Sequence, residues 1–209
     1  MDTSLIESMI ERMGEGDHPD PGLLDLLSVV AEQHGVEAGE EELRRGVGFV
    51  TGYIEQVPYM LKVARTSASN VGLEKEFDRI LETVLSYWME GDDIIPDELG
   101  VMGLMDDAYC SLTLLQAISD HYRLMTGKHL FPDDLTQANQ AMQRLIGEPY
   151  VSELDTLVVR TMKDACVIES VKKLADEEKR MHLDADSTIW NHGPVGQLDI
   201  GGLKGLGIL

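Results

Sequence analysis

From Ser4 to about His182 the apolar residues of this 209-residue chain recur at steps of three and four, in segments punctuated by Gly, Pro and capping residues. That spacing puts one apolar stripe on each of a series of α-helices, and no alternating strand pattern competes with it before residue 183. The expected fold class is all-α, an irregular multi-helix bundle with a Gly-rich apolar C-terminal tail.

The individual helices follow from local signals. Ser4 with Glu7 reads as a capping box ahead of the stripe Leu5, Ile6, Met9, Ile10 and Met13, and Gly14 stops it. Pro21 starts a second helix that turns Leu23, Leu24, Leu27 and Val30 towards a neighbour and ends at Gly35. A third runs from Glu40 to about Ala68. Pro58 is expected to kink or break it, and Gly46, Gly48 and Gly52 leave room for another element to approach. A fourth, from about Asn70 to Glu90, carries Leu73, Phe77, Ile80, Leu81, Val84, Leu85 and Trp88 on one face. A long helix opens at Gly103 and reaches about Thr126; another ends at Ile146; a last one starts at Ser152 with Asp155 and extends to about His182. Residues 1–182 are expected to form one domain, and 183–209 an extended tail.

One segment departs from ordinary helical composition. Between Arg79 and Arg123 there is no Lys or Arg, yet there are nine carboxylates. At the centre stands Asp93-Ile94-Ile95-Pro96-Asp97, then Gly103-Leu104-Met105-Asp106-Asp107-Ala108. Two unit charges about 6 Å apart repel by about 0.7 kcal/mol in water, and by about four times that at the effective dielectric of a protein interior. If these acids converge, something must balance them: basic side chains, helix-start N–H groups, a metal ion or a partner.

The order Asp-x-Ile-Pro-Asp, five residues, Gly, two residues, Asp-Asp-Ala resembles the signature of the YkvA-like family, a bacterial helical domain of unknown function. The match runs from Asp93 to Ala108, within a motif region of about 70–127, with a weaker echo in Ser86-Tyr87-Trp88-Met89-Glu90. Family members often have a second Pro where this chain has Gly100, and many carry long apolar segments that this chain lacks. The resemblance implies a helical unit with a structurally demanding acidic turn in which Pro96 and Gly103 shape the backbone; it implies no established activity.

Two kinds of chemistry suit Asp93, Asp97, Asp106 and Asp107. As a converging set they could ligate Mg²⁺, Mn²⁺ or Ca²⁺, hard cations that prefer carboxylate oxygen, and one could act as a general base. The Glu-x-x-His pattern of bundle di-metal sites is absent, however. As structural groups they would cap helix starts and complement the helix dipole, with Arg44, Arg45, Lys62 or Arg65 as salt-bridge partners. Asp107 shares a helical face with Cys110, Leu114, Ile118 and His121, which draws it inward.

Composition narrows the function classes. A net charge of -21 excludes nucleic acid as a direct ligand, because phosphate binding needs clustered Lys and Arg, and disfavours anionic membrane surfaces. It could attract a basic partner. Cys110 and Cys166 lie in helical patterns without a second Cys at metal or redox spacing, so buried free thiols are expected. No signal-peptide pattern opens the chain and no apolar run is long enough to span a bilayer, which points to the cytoplasm. No nucleophile elbow or phosphate loop is present. The expected function is therefore a non-enzymatic protein-interaction or scaffold protein, with no cofactor, which meets a partner or a second copy through its acidic face or through residues 193–209. The alternative is a divalent-metal-dependent hydrolase built on the four aspartates.

Overall fold

The structure, a computed structural model, describes residues 3–13, 20–70, 74–89, 95, 97–127, 129–130, 134–164, 166–174 and 200–208. The described residues form eight α-helices: α1 (Ser4–Met13), α2 (Pro21–Gln33), α3 (Glu40–Asn70), α4 (Glu74–Tyr87), α5 (Met105–Thr126), α6 (Thr136–Ile146), α7 (Tyr150–Asp164) and α8 (Val167–Leu174). Two 3-10 segments, Asp97–Leu104 and Ile200–Leu206, complete them, and no strand occurs among the described residues. This is the all-α multi-helix bundle that the periodicity predicts.

Helix α5 is the axis of the bundle. Every residue from Met105 to Leu112 is buried, as are Leu114, Leu115, Ile118 and Ser119, so this helix has almost no solvent face over its first four turns. A helix that is apolar nearly all round must be surrounded, and α5 packs against α3, α4, α6, α7 and α8. The core runs from Tyr53, Ile54, Val57 and Met60 of α3 through Ile80 and Val84 of α4 to Met142, Leu145, Leu154 and Val158 of α6 and α7.

Several local expectations are corrected. Helix α3 runs for 31 residues with Pro58 inside it, so the chain does not break there. A mid-helix Pro costs about 3 kcal/mol in isolation, but Val57, Met60 and Leu61 on either side are fully buried or nearly so, and their packing holds the helix together. Helix α1 is capped at Thr3, whose carbonyl accepts from Glu7 N–H and whose hydroxyl donates to the Glu7 carboxylate, so the boundary falls one residue before the Ser4–Glu7 box. Helix α7 begins at Tyr150, two residues before Ser152, whose hydroxyl donates to Glu148. The expected long last helix is two: the chain turns at Cys166, φ +53°, and α8 folds against α5 and α7.

The end of the chain differs most from expectation. Ile200–Leu206 is a 3-10 helix rather than an extended arm, and Leu203, Leu206 and Ile208 are buried in the same core as the helices of residues 4–164. The rest of the expected tail, residues 183–199, lies outside the described residues, as does the predicted helix end near His182.

Candidate functional site

The acidic motif arrives at α5 through the 3-10 segment Asp97–Leu104. Asp93 and Pro96 lie outside the described residues, and Asp97 is described as the first backbone position of the 3-10 segment. Gly103 is buried within that segment rather than opening α5, which begins two residues later. Asp106 and Asp107 occupy the first turn of α5, where negative charge suits the helix dipole, and only 3% and 5% of their surface is exposed. Asp106 uses Oδ2 to accept the backbone N–H of Ile95 at 3.0 Å. It therefore stitches the preceding loop to α5, where the sequence suggested a cap on its own helix.

A second aspartate, Asp20, organises the other side of the turn. Asp20 is the N-cap of α2: its Oδ1 accepts from Gly22 N–H at 2.8 Å and Leu23 N–H at 3.1 Å. Its Oδ2 accepts from Val101 N–H at 3.3 Å, 81 residues away. Gly100, at φ +67° and ψ -125°, brings the backbone so close that a Cβ there would stand 2.7 Å from Asp20 Oδ2. The sequence marks the helix start at Pro21, but neither the Asp20 cap nor its bond to Val101 was read from it.

The bases proposed to neutralise the motif are engaged elsewhere. Arg44 pairs with Glu40 at 2.6 Å, Arg45 with Glu41 at 3.3 Å, Lys62 with Glu7 at 2.5 Å, and Arg65 with Glu74 at 3.0 Å and Asp78 at 3.2 Å. These pairs lie on α1, α3 and α4; those of Arg44, Arg45 and Lys62 are exposed, and that of Arg65 with Asp78 is half-buried.

Behind Asp106 and Asp107 the polar groups of α5 turn inward. Tyr109 donates to Asp155 Oδ1 of α7 at 2.6 Å and accepts from Gln143 Nε2 of α6 at 2.6 Å. Burial, then the bond to Asp155, pushes the Tyr109 phenol well above its ordinary value. Burial also raises Cys110, reinforced by the charges of Asp106, Asp107 and Asp155, so this thiol stays protonated and unreactive. Tyr53 of α3, fully buried, donates to Asn139 of α6 at 2.7 Å and is raised by burial and by the nearby Tyr109 and Cys110. Trp88 donates to Ser111, and the loop amides of Leu130 and Leu135 donate to Ser119 and Gln116. Asp106, Tyr109, Ser111, Gln116 and Ser119 of α5 thus each fasten a neighbouring segment. Cys166 corrects the expectation of two buried thiols, being exposed at the α7–α8 turn.

A polar cleft of about 430 Å³ lies between α4 and α7, lined by Thr83, Ser86 and Tyr87 on one side and Leu157, Arg160, Thr161 and Asp164 on the other. Arg160 is paired with Asp164 at 3.5 Å, and the Thr83 and Ser86 hydroxyls donate to carbonyls of their own helix. Neither arrangement activates a nucleophile. Among the described residues no group of three His, Cys, Asp or Glu side chains is placed to hold a metal ion, and no helix is long and apolar enough to cross a membrane.

In comparisons with protein-family models, curated proteins and solved structures, nothing matches this chain.

Proposed function

We propose that this protein is a non-enzymatic helical interaction or scaffold protein of the bacterial cytoplasm, and that its acidic turn is the structural element of a YkvA-like unit. The observation that carries the proposal is the use to which the described acids are put. Asp106 holds Ile95, Asp20 holds α2 to Val101, and Asp155 holds Tyr109; each carboxylate joins one element to another. What remains for function is the surface, dominated by a net charge of -21 that would attract a basic protein. Sedimentation velocity over a wide concentration range, alone and with a basic protein, tests this: concentration-dependent self-association or a salt-sensitive complex supports it, and a monomer without affinity for either opposes it.

The alternative is a divalent-metal-dependent hydrolase using Asp93, Asp97, Asp106 and Asp107. One observation favours it: Asp106 and Asp107 are adjacent and buried, and the negative potential they share with Asp155 is felt at Cys110. Thermal unfolding of metal-stripped protein with Mg²⁺, Mn²⁺ or Ca²⁺ separates the two. The interaction protein shows no saturable shift, and its Asp107→Asn variant is less stable with and without ions. Saturable stabilisation that disappears in Asp106→Asn and Asp107→Asn would put the hydrolase first.

A further inference from the structure

The cleft between α4 and α7, at about 430 Å³, has room for a small organic molecule, and its two walls differ in chemistry. On the α4 wall stand the hydroxyls of Thr83 and Ser86. Both spend their protons on carbonyls of their own helix, Thr83 on Arg79 at 3.0 Å and Ser86 on Thr83 at 2.7 Å. What they still offer the cleft is oxygen lone pairs, so these two groups accept hydrogen bonds and donate none. Half-buried Leu157 and buried Tyr87 add apolar surface, one from each wall.

The α7 wall carries Arg160, Thr161 and Asp164. The ion pair there joins Arg160 Nε to Asp164 Oδ2 at 3.5 Å, with 77% and 71% of the two side chains exposed, so it holds weakly in water. It engages neither terminal nitrogen of the guanidinium and leaves the second Asp164 oxygen unused. Thr161 is only 8% exposed, and its hydroxyl makes no hydrogen bond among the described residues. Thr51, Thr66, Thr83 and Thr156, by contrast, each donate to the carbonyl four residues back. A buried hydroxyl without a partner is costly, and one that lines a cleft can be satisfied by what enters it.

We propose that this cleft binds a free aliphatic α-amino acid. A simple anion entering it meets Asp164, and a simple cation meets Arg160; a ligand that carries both charges side by side avoids either repulsion and exchanges one weak ion pair for two. A free amino acid holds its two charges on one carbon, whereas a peptide holds them at opposite ends. The ligand carboxylate lies in the fork of the Arg160 terminal nitrogens and gives the Thr161 hydroxyl its partner. The ammonium donates to Asp164 and to the oxygens of Thr83 and Ser86, and the aliphatic side chain rests against Leu157 and Tyr87. This site goes beyond the interaction-protein reading and uses none of the observations that support it.

Amide NMR spectra of the full chain, titrated with L-leucine, test the site. The shifts should saturate by about 10 mM, with residues 83–87 and 157–164 moving most and α1 and α2 unmoved. Two analogues read the chemistry: leucinamide, which lacks the carboxylate, and 4-methylpentanoate, which lacks the ammonium, should each bind at least about tenfold more weakly. Arg160→Gln should bind leucine no better than the wild type binds leucinamide. Its side chain is exposed, so the variant keeps its helical circular dichroism and the loss is one of binding. Thr161→Val, which keeps the shape and removes the hydroxyl, should weaken leucine at least about threefold. Leucine that moves no signal by about 10 mM overturns the proposal. So does 4-methylpentanoate binding as tightly as leucine, which would make the cleft a plain anion site, or leucinamide doing so, which would leave Arg160 without a role. The interaction reading fails separately, by sedimentation velocity run without any amino acid.

Discussion

Asp20 makes three hydrogen bonds with two oxygens, and the division of labour between them can be measured. Asp20→Ala removes an N-cap and leaves Val101 N–H without its acceptor, which together should cost about 2 kcal/mol. Asp20→Asn keeps a competent cap but turns an amide towards one set of donors, so it should lose about half as much. Urea titration of both variants checks the order. The buried thiol and phenols of α3 and α5 make a pH prediction. Cys110, Tyr109 and Tyr53 are all raised in the folded state by burial, so the native protein holds protons that the unfolded chain releases. Their contribution is complete below the unfolded values, about 8.5 for the thiol and about 10 for the phenols, and is lost as pH rises towards the folded ones. Stability should therefore decline above pH about 8.5 and more steeply above about 10. Phenolate absorbance from the two tyrosines should appear together with unfolding rather than before it. At neutral pH a thiol reagent should modify exposed Cys166 in the native protein and Cys110 only after denaturation.

At the scale of elements, the turn between the acidic motif and α5 depends on Gly100. Its φ of +67° with ψ of -125° is open to Gly alone, and Pro, with φ held near -65°, has no access to it. Gly100→Ala should destabilise by about 2–3 kcal/mol, from backbone strain and from contact with Asp20 Oδ2. Because part of that cost is the contact, the Asp20→Ala/Gly100→Ala double variant should lose less than the sum, a double-mutant cycle read by thermal or urea unfolding. Elements were legible where their signals are local: Pro21 and Gly35 bound α2, and the stripe Phe77, Ile80, Leu81 and Val84 locates the buried face of α4. They were not legible where packing decides. No Gly or Pro marks the turn at Cys166, and nothing near Pro58 shows that α3 survives it; both depend on neighbours remote in sequence.

For the molecule as a whole, electrostatics works against compactness. The described ion pairs are mostly exposed, each worth about 0–1 kcal/mol, while a charge of -21 repels itself throughout. Raising NaCl to about 0.1 M, where the Debye length is about 10 Å, should raise the melting temperature measured by calorimetry, and a fall would mean that the pairs outweigh the repulsion. The core that resists this charge is shared by the beginning and the end of the chain: Ile6 from α1 and Leu203, Leu206 and Ile208 from the last segment belong to one buried cluster with α5.

The sequence by itself determined the helical class, the order of the helices up to α7 and the inward draw of Asp107, because each follows from periodicity or from a cap within a few residues of the group concerned. It also set the place of the acidic turn, since Asp106 and Asp107 fall in the first turn of α5 whatever surrounds it. Only the tertiary structure decided what those acids and their neighbours do. The partners are far apart along the chain: Asp20 with Val101, Tyr109 with Asp155, Gly46 with Leu206. A hydrogen bond or a socket of that kind depends on two segments being brought together, and its energy is absent from either segment alone. The Gly-rich end shows the same limit. Its composition predicts a poor helix in isolation, and it is the groove between α2, α3 and α6 that turns it into a 3-10 helix with three aliphatic side chains buried.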